Sequence, residues 1–140
     1  MQASNPLGRL AADANVILSA VAGKAVLRVF LKEDVEIITT QFNIEEVRQY
    51  LSVIAKQYLL SEELLESQLK LLPLKIYSQH FYEGFLKEAS KKLTERDEDD
   101  IELLALAMKL HIPVWSNDRD FQHSGIEVYT TAKLLKILKA

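Results

Sequence analysis

Short apolar runs alternate along this chain with longer segments of helical spacing, and that alternation constrains the fold more than any other feature. Arg9 to Ala12, Val35 to Thr39, Leu74 to Tyr77, Ile112 to Ser116 and Ile126 to Tyr129 are short and apolar or β-branched, as strands are. Between them lie segments with apolar residues three and four apart, as in Val47, Leu51, Ile54 and Tyr58, the signature of a helix with one buried face. The spacing predicts helices over Val16 to Val21, Lys24 to Lys32, Phe42 to Tyr58, Ser61 to Leu71, Ser78 to Leu93, Glu98 to Leu110 and Thr131 to Leu138. Ser61 is the expected N-cap of its helix. Strands alternating with helices imply an α/β fold with a central, mostly parallel sheet of four to five strands flanked by helices.

With 140 residues, 49% of them hydrophobic, the chain has enough apolar material for one core. We therefore expect a single domain over residues 1–140. No stretch reaches the roughly 18 apolar residues of a membrane span. The first residues lack the basic start and apolar run of a signal peptide. The expectation is a soluble, cytoplasmic protein. There is no cysteine, which excludes disulfides, thiolate metal sites and cysteine nucleophiles. The net charge of -3 speaks against nucleic-acid binding through a broad basic surface.

In open parallel sheets, ligands gather beyond the carboxyl ends of the strands. Asp13 ends the first strand, and Asp118 lies two residues past Ser116 at the end of a late one. A parallel sheet brings both to one edge, where they repel unless a proton or cation intervenes. The alternative is that each simply caps a helix or turn. Residues 95–102 hold six acids in eight positions, and much of that run suits a solvated helix start, with Asp97 and Asp100 as a capping pair. Asp100 also leads the face of Leu103, Leu104 and Ala107, which aims it along the buried side of its helix. Glu46 borders the apolar face of its helix, and Asn43 three residues earlier offers a capping-box reading for it. Glu45 falls on the polar face. Oxygen-only ligands of this kind select hard ions such as Mg²⁺ or Mn²⁺.

Taken in order, Asp13-Ala14-Asn15, Glu46-Val47, Asp97-Glu98-Asp99-Asp100 before Leu103-Leu104-Ala105-Leu106-Ala107, and Trp115-Ser116-Asn117-Asp118-Arg119-Asp120-Phe121 resemble the motifs of PIN domains. That fold is found in small metal-dependent ribonucleases and in VapC-type toxins. The resemblance runs from about Arg9 to about Tyr129. It implies a three-layer, Rossmann-like fold and a hydrolase that cleaves RNA phosphodiesters. Asp13, Glu46, Asp100 and Asp118 would be the acidic quartet holding one or two Mg²⁺ or Mn²⁺ ions. Asp13, Asp100 and Asp118 would be direct ligands, and Glu46 would act through water or a second ion. Ser116 would orient the site, with Asn15 and Asp120 as auxiliary polar groups. An antitoxin partner and a homodimer are further implications. With those four acids assigned to a metal site, 17 basic residues face 16 acidic ones, so the negative balance no longer excludes RNA.

Other residues carry plainer readings. His80, His111 and His123 have no ligand spacing. Tyr77, Phe81, Tyr82 and Phe85 share helical spacing and suit core packing or a dimer surface, and Trp115 suits the core. Arg96 and Arg119 flank the acidic segment as candidate RNA contacts, with simple solvation the alternative. Two other functions compete with the nuclease: a non-catalytic RNA- or protein-binding module on the same fold, and a Mg²⁺-binding receiver-type signalling domain. The latter normally has adjacent acids after its first strand and a lysine after a late one, and neither is evident here.

Overall fold

The computed structural model describes residues 8–93 and 97–140. Five strands form one sheet: β1 (Arg9–Ala12), β2 (Glu36–Thr40), β3 (Leu74–Tyr77), β4 (Val114–Trp115) and β5 (Val128–Tyr129). Their spatial order is β3-β2-β1-β4-β5, and every neighbouring pair is parallel. The helices are α1 (Ala14–Val21), α2 (Leu27–Phe30), α3 (Gln41–Tyr58), α4 (Glu62–Leu71), α5 (Gln79–Tyr82), α6 (Leu86–Lys92), α7 (Glu98–Leu110) and α8 (Thr131–Leu138). The expected α/β fold, with a parallel sheet between helical layers, is present. Receiver-type domains order their doubly wound strands 2-1-3-4-5, so the order seen here argues against that reading.

The period-2 alternation of strand side chains divides the core in two. Leu10, Ala12, Ile37 and Trp115 join a cluster with Ile17 of α1, Val47 and Leu51 of α3, Leu65 of α4 and Leu134 of α8. Ala11, Ile38 and Val114 point the other way, onto Leu103, Leu104 and Ala107 of α7 and onto Tyr82 and Phe121. Residues 102–108 of α7 are all buried, because this helix lies across the middle of the sheet. Each fully buried Leu there contributes about 1.5–3 kcal/mol.

Two predicted helices are shorter or broken. Of Lys24 to Lys32, only Leu27–Phe30 is helical. Gly23, at φ +79, turns the chain sharply after α1. What remains is a single turn held by burial of Val29 and by Phe30 packing on Trp115, with ring centroids 5.2 Å apart. The span Ser78 to Leu93 is split by a 3-10 turn at Glu83–Phe85. This break lets Tyr82 sit fully buried with its phenol donating to Glu102 at 2.5 Å, while α6 packs against α7. β4 and β5 keep only two residues each as strand.

Candidate active site

The strand order reverses between β1 and β4, so the loops leaving these two strands diverge and open a crevice at their carboxyl ends. A cavity of about 130 Å³ lies there, lined by Asp13, Ala14, Asn15, Asn43, Glu46, Asp97, Asp100, Asp118 and Asp120. All four acids of the predicted quartet therefore converge, together with Asp97 and Asp120.

Asp13 leaves β1 directly into α1. It caps that helix, with Oδ1 accepting from the Val16 N–H at 2.9 Å. Its second oxygen accepts from the Ser116 hydroxyl. Ser116 Oγ in turn accepts from the Asp118 N–H at 3.0 Å. One buried hydroxyl thus ties the two loops of the switch point together. Cap and cavity wall are the same residue in Asp13. Burial raises its carboxyl above the ordinary range, and the negative charge of Asp118 adds to this, against the lowering effect of the Ser116 and Val16 hydrogen bonds. Asp118 precedes a 3-10 turn at Arg119–Phe121 but makes no side-chain cap there, which leaves its carboxylate uncommitted to structure.

Glu46 stands on the first turns of α3, and α7 begins beside it. A hydrogen bond with Asp99 pushes Glu46 up to about 8, with burial and the charges of Asp99, Asp97 and Asp13 adding to the effect. Oxygens of Glu46, Asp97 and Asp99 all lie within 4.8 Å of one another. Asp97 is the N-cap of α7, accepting from the N–H groups of Asp99 at 2.9 Å and Asp100 at 3.4 Å. Asp100 enters the cavity, as its helical phase predicts. Burial is the main cause that pushes it to about 8, followed by a hydrogen bond with Asp120 and the charges of Asp97, Asp120 and Asp13. Carboxyls crowded in this way hold together when one of a pair keeps its proton. A divalent cation is the other way to hold so many acids together. The wall offers carboxylate and amide oxygens and no sulfur or imidazole, a donor set that fits Mg²⁺ or Mn²⁺.

One sequence expectation is corrected. Asn43 does not cap α3. The chain passes from β2 into α3 without a loop, so the cap falls at Thr40, whose hydroxyl oxygen accepts from the Asn43 N–H at 3.1 Å. The capping-box reading of Glu46 goes with it, and Asn43 becomes a buried part of the cavity wall. Asp97 and Asp99 were legible only as helix-start acids, since spacing alone does not reveal that α7 begins opposite Glu46. Asn15 lines the cavity and is exposed, while Arg119 is exposed and lies outside the lining. Arg96 lies outside the described residues. His111 is the left-handed C-cap of α7, and none of the three histidines lines the cavity.

The sequence profile described as PIN domain matches residues 12–139. Comparison with curated proteins finds no match. Among solved structures, the chain is similar to one from the crystal structure of VapBC2 from Rickettsia felis bound to a DNA fragment from their promoter. The TM-score is 0.65 at 15% identity, covering 87% of this chain and 98% of that one. At this identity the likeness carries the fold. Among the described residues, no helix is long and apolar enough to cross a membrane.

Proposed function

The chain belongs to the PIN domain family, and on that premise we propose that it is a Mg²⁺- or Mn²⁺-dependent endoribonuclease, with residues 1–140 acting as one domain in the cytoplasm. The observation that carries this reading is the convergence of six carboxylates on one oxygen-lined cavity at the switch point of the sheet. Asp13, Asp100 and Asp118 would hold a cation directly. Glu46, grouped with Asp97 and Asp99, would act through water or hold a second ion. When bound, the cation supplies charge neutralisation on the phosphate and lowers the pKa of a coordinated water.

The protein's own groups do the rest. Val16 and Ser116 fix both oxygens of Asp13, so this carboxylate meets a cation without losing side-chain freedom at that moment. Ser116 sets Asp118 relative to Asp13 through its bond to the Asp118 N–H. Asn15 and Asp120 contribute further polar atoms at the wall. The acids repel an RNA phosphate, so substrate binding requires the cation. Arg119 and Arg96 would meet flanking phosphates. The test is cleavage of a labelled single-stranded RNA with Mg²⁺ or Mn²⁺, with EDTA, and with the Asp13→Asn and Asp118→Asn variants. We expect cleavage only with metal and loss in both variants. If both variants cut like the wild type, the assignment of cleavage to this site fails; a wild type that cuts nothing with either metal would make the chain a binding module on a PIN fold.

A toxin role with an antitoxin partner is the finer version of this reading, supported by the likeness to a chain of the VapBC2 structure. Tyr50 and Val53 continue the Glu46 face of α3 and are exposed, as is Leu71 of α4. Such apolar side chains suit a protein partner or a second copy of the chain. Co-purification with the product of a neighbouring gene, and the mass of the complex in solution, test both.

A further inference from the structure

We propose that the side-chain amide of Asn43 is a substrate-binding group that donates to a non-bridging oxygen of the scissile phosphate, a role that rests on the nuclease reading above. The cavity wall consists of six acids, Ala14 and two asparagines. Among the described residues lining it, only Asn15 and Asn43 therefore carry a side-chain N–H. Asn15 is exposed, whereas Asn43 is 1% exposed and rests on Thr40, which is fully buried.

Hydrogen bonding fixes which way the amide faces. The Thr40 hydroxyl donates to Asn43 Oδ1 at 2.6 Å, while its oxygen accepts from the Asn43 backbone N–H at 3.1 Å. The carbonyl oxygen of the side chain is thus turned to Thr40. Nδ2 has no acceptor among the described residues and belongs to a side chain that lines the cavity. Helix capping does not account for this arrangement, because Thr40 already caps α3.

A neutral donor is what this wall can accommodate. A lysine or arginine placed here would pair with the acids and compete with a divalent ion for them. An amide does neither, yet asparagine side chains are regular partners of phosphate oxygens. A donor held in place before the reaction stabilises charge that grows on the phosphate without reorganising, and loss of one such donor typically lowers turnover about 10²- to 10³-fold.

The test uses Asn43→Asp and Asn43→Ala in the full chain, measuring RNA cleavage with Mn²⁺, Mn²⁺ affinity by electron paramagnetic resonance without RNA, and thermal stability. Asn43→Asp keeps an oxygen facing Thr40, replaces the donor with an acceptor and adds a negative charge to the wall, whereas Asn43→Ala removes the donor without adding charge. We expect both folded variants to lose about 10²-fold or more in kcat. Asn43→Ala should keep its Mn²⁺ affinity, and Asn43→Asp should match or exceed the wild type in that measurement. Cleavage by either folded variant at the wild-type rate would overturn the assignment. So would parallel loss of Mn²⁺ affinity and cleavage in Asn43→Ala, which would make Oδ1 a metal ligand. A wild-type protein that cuts no RNA with Mn²⁺ would sink the nuclease reading itself, and this assignment with it.

Discussion

Replacing Asp13 by Asn should stabilise the metal-free protein while abolishing its response to metal. Asn caps a helix about as well as Asp, so the bond from the Val16 N–H survives. On the other side the amide nitrogen donates to Ser116 Oγ, and the hydroxyl hydrogen re-aims. The number of hydrogen bonds is kept, at the cost of about 0.5–1.5 kcal/mol as charge-assisted bonds become neutral. Against this, the variant removes a buried carboxyl that desolvation already disfavours in its charged form, beside Asp118, Glu46 and Asp100. Two unit charges in contact interact by about 4 kcal/mol at an effective dielectric of ~20. Larger separations and partial protonation reduce this, and a net gain of about 1–3 kcal/mol remains. The unfolding entropy is about 0.3 kcal/mol/K for a chain of 140 residues, so the metal-free Tm should rise by about 3–10 °C. Wild type at a hundredfold excess of Mg²⁺ over its Kd gains about 2.7 kcal/mol, or about 9 °C on the same scale. Metal should therefore close the gap between the two proteins, and reverse their rank wherever the variant's gain is below about 9 °C. Scanning calorimetry after EDTA treatment, with and without Mg²⁺ or Mn²⁺, reads this directly. A metal-free variant that melts well below a wild type indifferent to metal would refute the reasoning and leave Asp13 as a helix cap alone.

The remaining predictions use the same site and its surroundings. Glu46 and Asp100 carry folded pKa values of about 8, above their ordinary 4.5 and 3.8, so the folded state binds more protons between those limits. The stability they contribute is fully present below about pH 4 and is lost as pH rises through about 8. Chemical denaturation of the metal-free protein should show that decline, and saturating Mg²⁺ should flatten it. Ser116→Ala removes the hydroxyl shared by Asp13 and the Asp118 N–H. We expect about 1–3 kcal/mol of destabilisation and about 10- to 100-fold weaker metal binding, from urea melts and Mn²⁺ titration. Tyr82→Phe leaves the buried Glu102 carboxylate with the Gln79 amide alone. Urea unfolding should show a loss of about 1–3 kcal/mol, and Glu102→Gln should recover part of it in the Tyr82→Phe background.

The sheet was legible in the sequence because strand and helix periods differ and each strand is short and bounded. Asp13 and Asp118 were legible for the same reason: a parallel sheet places all its strand ends on one edge. Asp100 was legible from helical phase, since Leu103, Leu104 and Ala107 declare the buried side of α7. The capping-box alternative at Asn43 stayed open because spacing alone does not show whether a loop separates β2 from α3. Without one, the cap moves back to Thr40, and Asn43 turns from a cap into part of the wall. Asp97 and Asp99 were hidden by the ordinary preference of acids for helix starts, which holds here as well and masks their proximity to Glu46. The break of the Ser78 to Leu93 helix is a tertiary effect, set by the bond between Tyr82 and Glu102 and by burial against α7.

The most direct test of the metal site is a crystal structure of the protein grown with Mn²⁺, with anomalous diffraction recorded at a wavelength where manganese scatters. An anomalous peak bonded to oxygens of Asp13, Asp100 and Asp118, lost in crystals of Asp13→Asn, is the predicted result. A well-ordered cavity with no anomalous density at saturating Mn²⁺, or a peak held by none of these three residues, would contradict it.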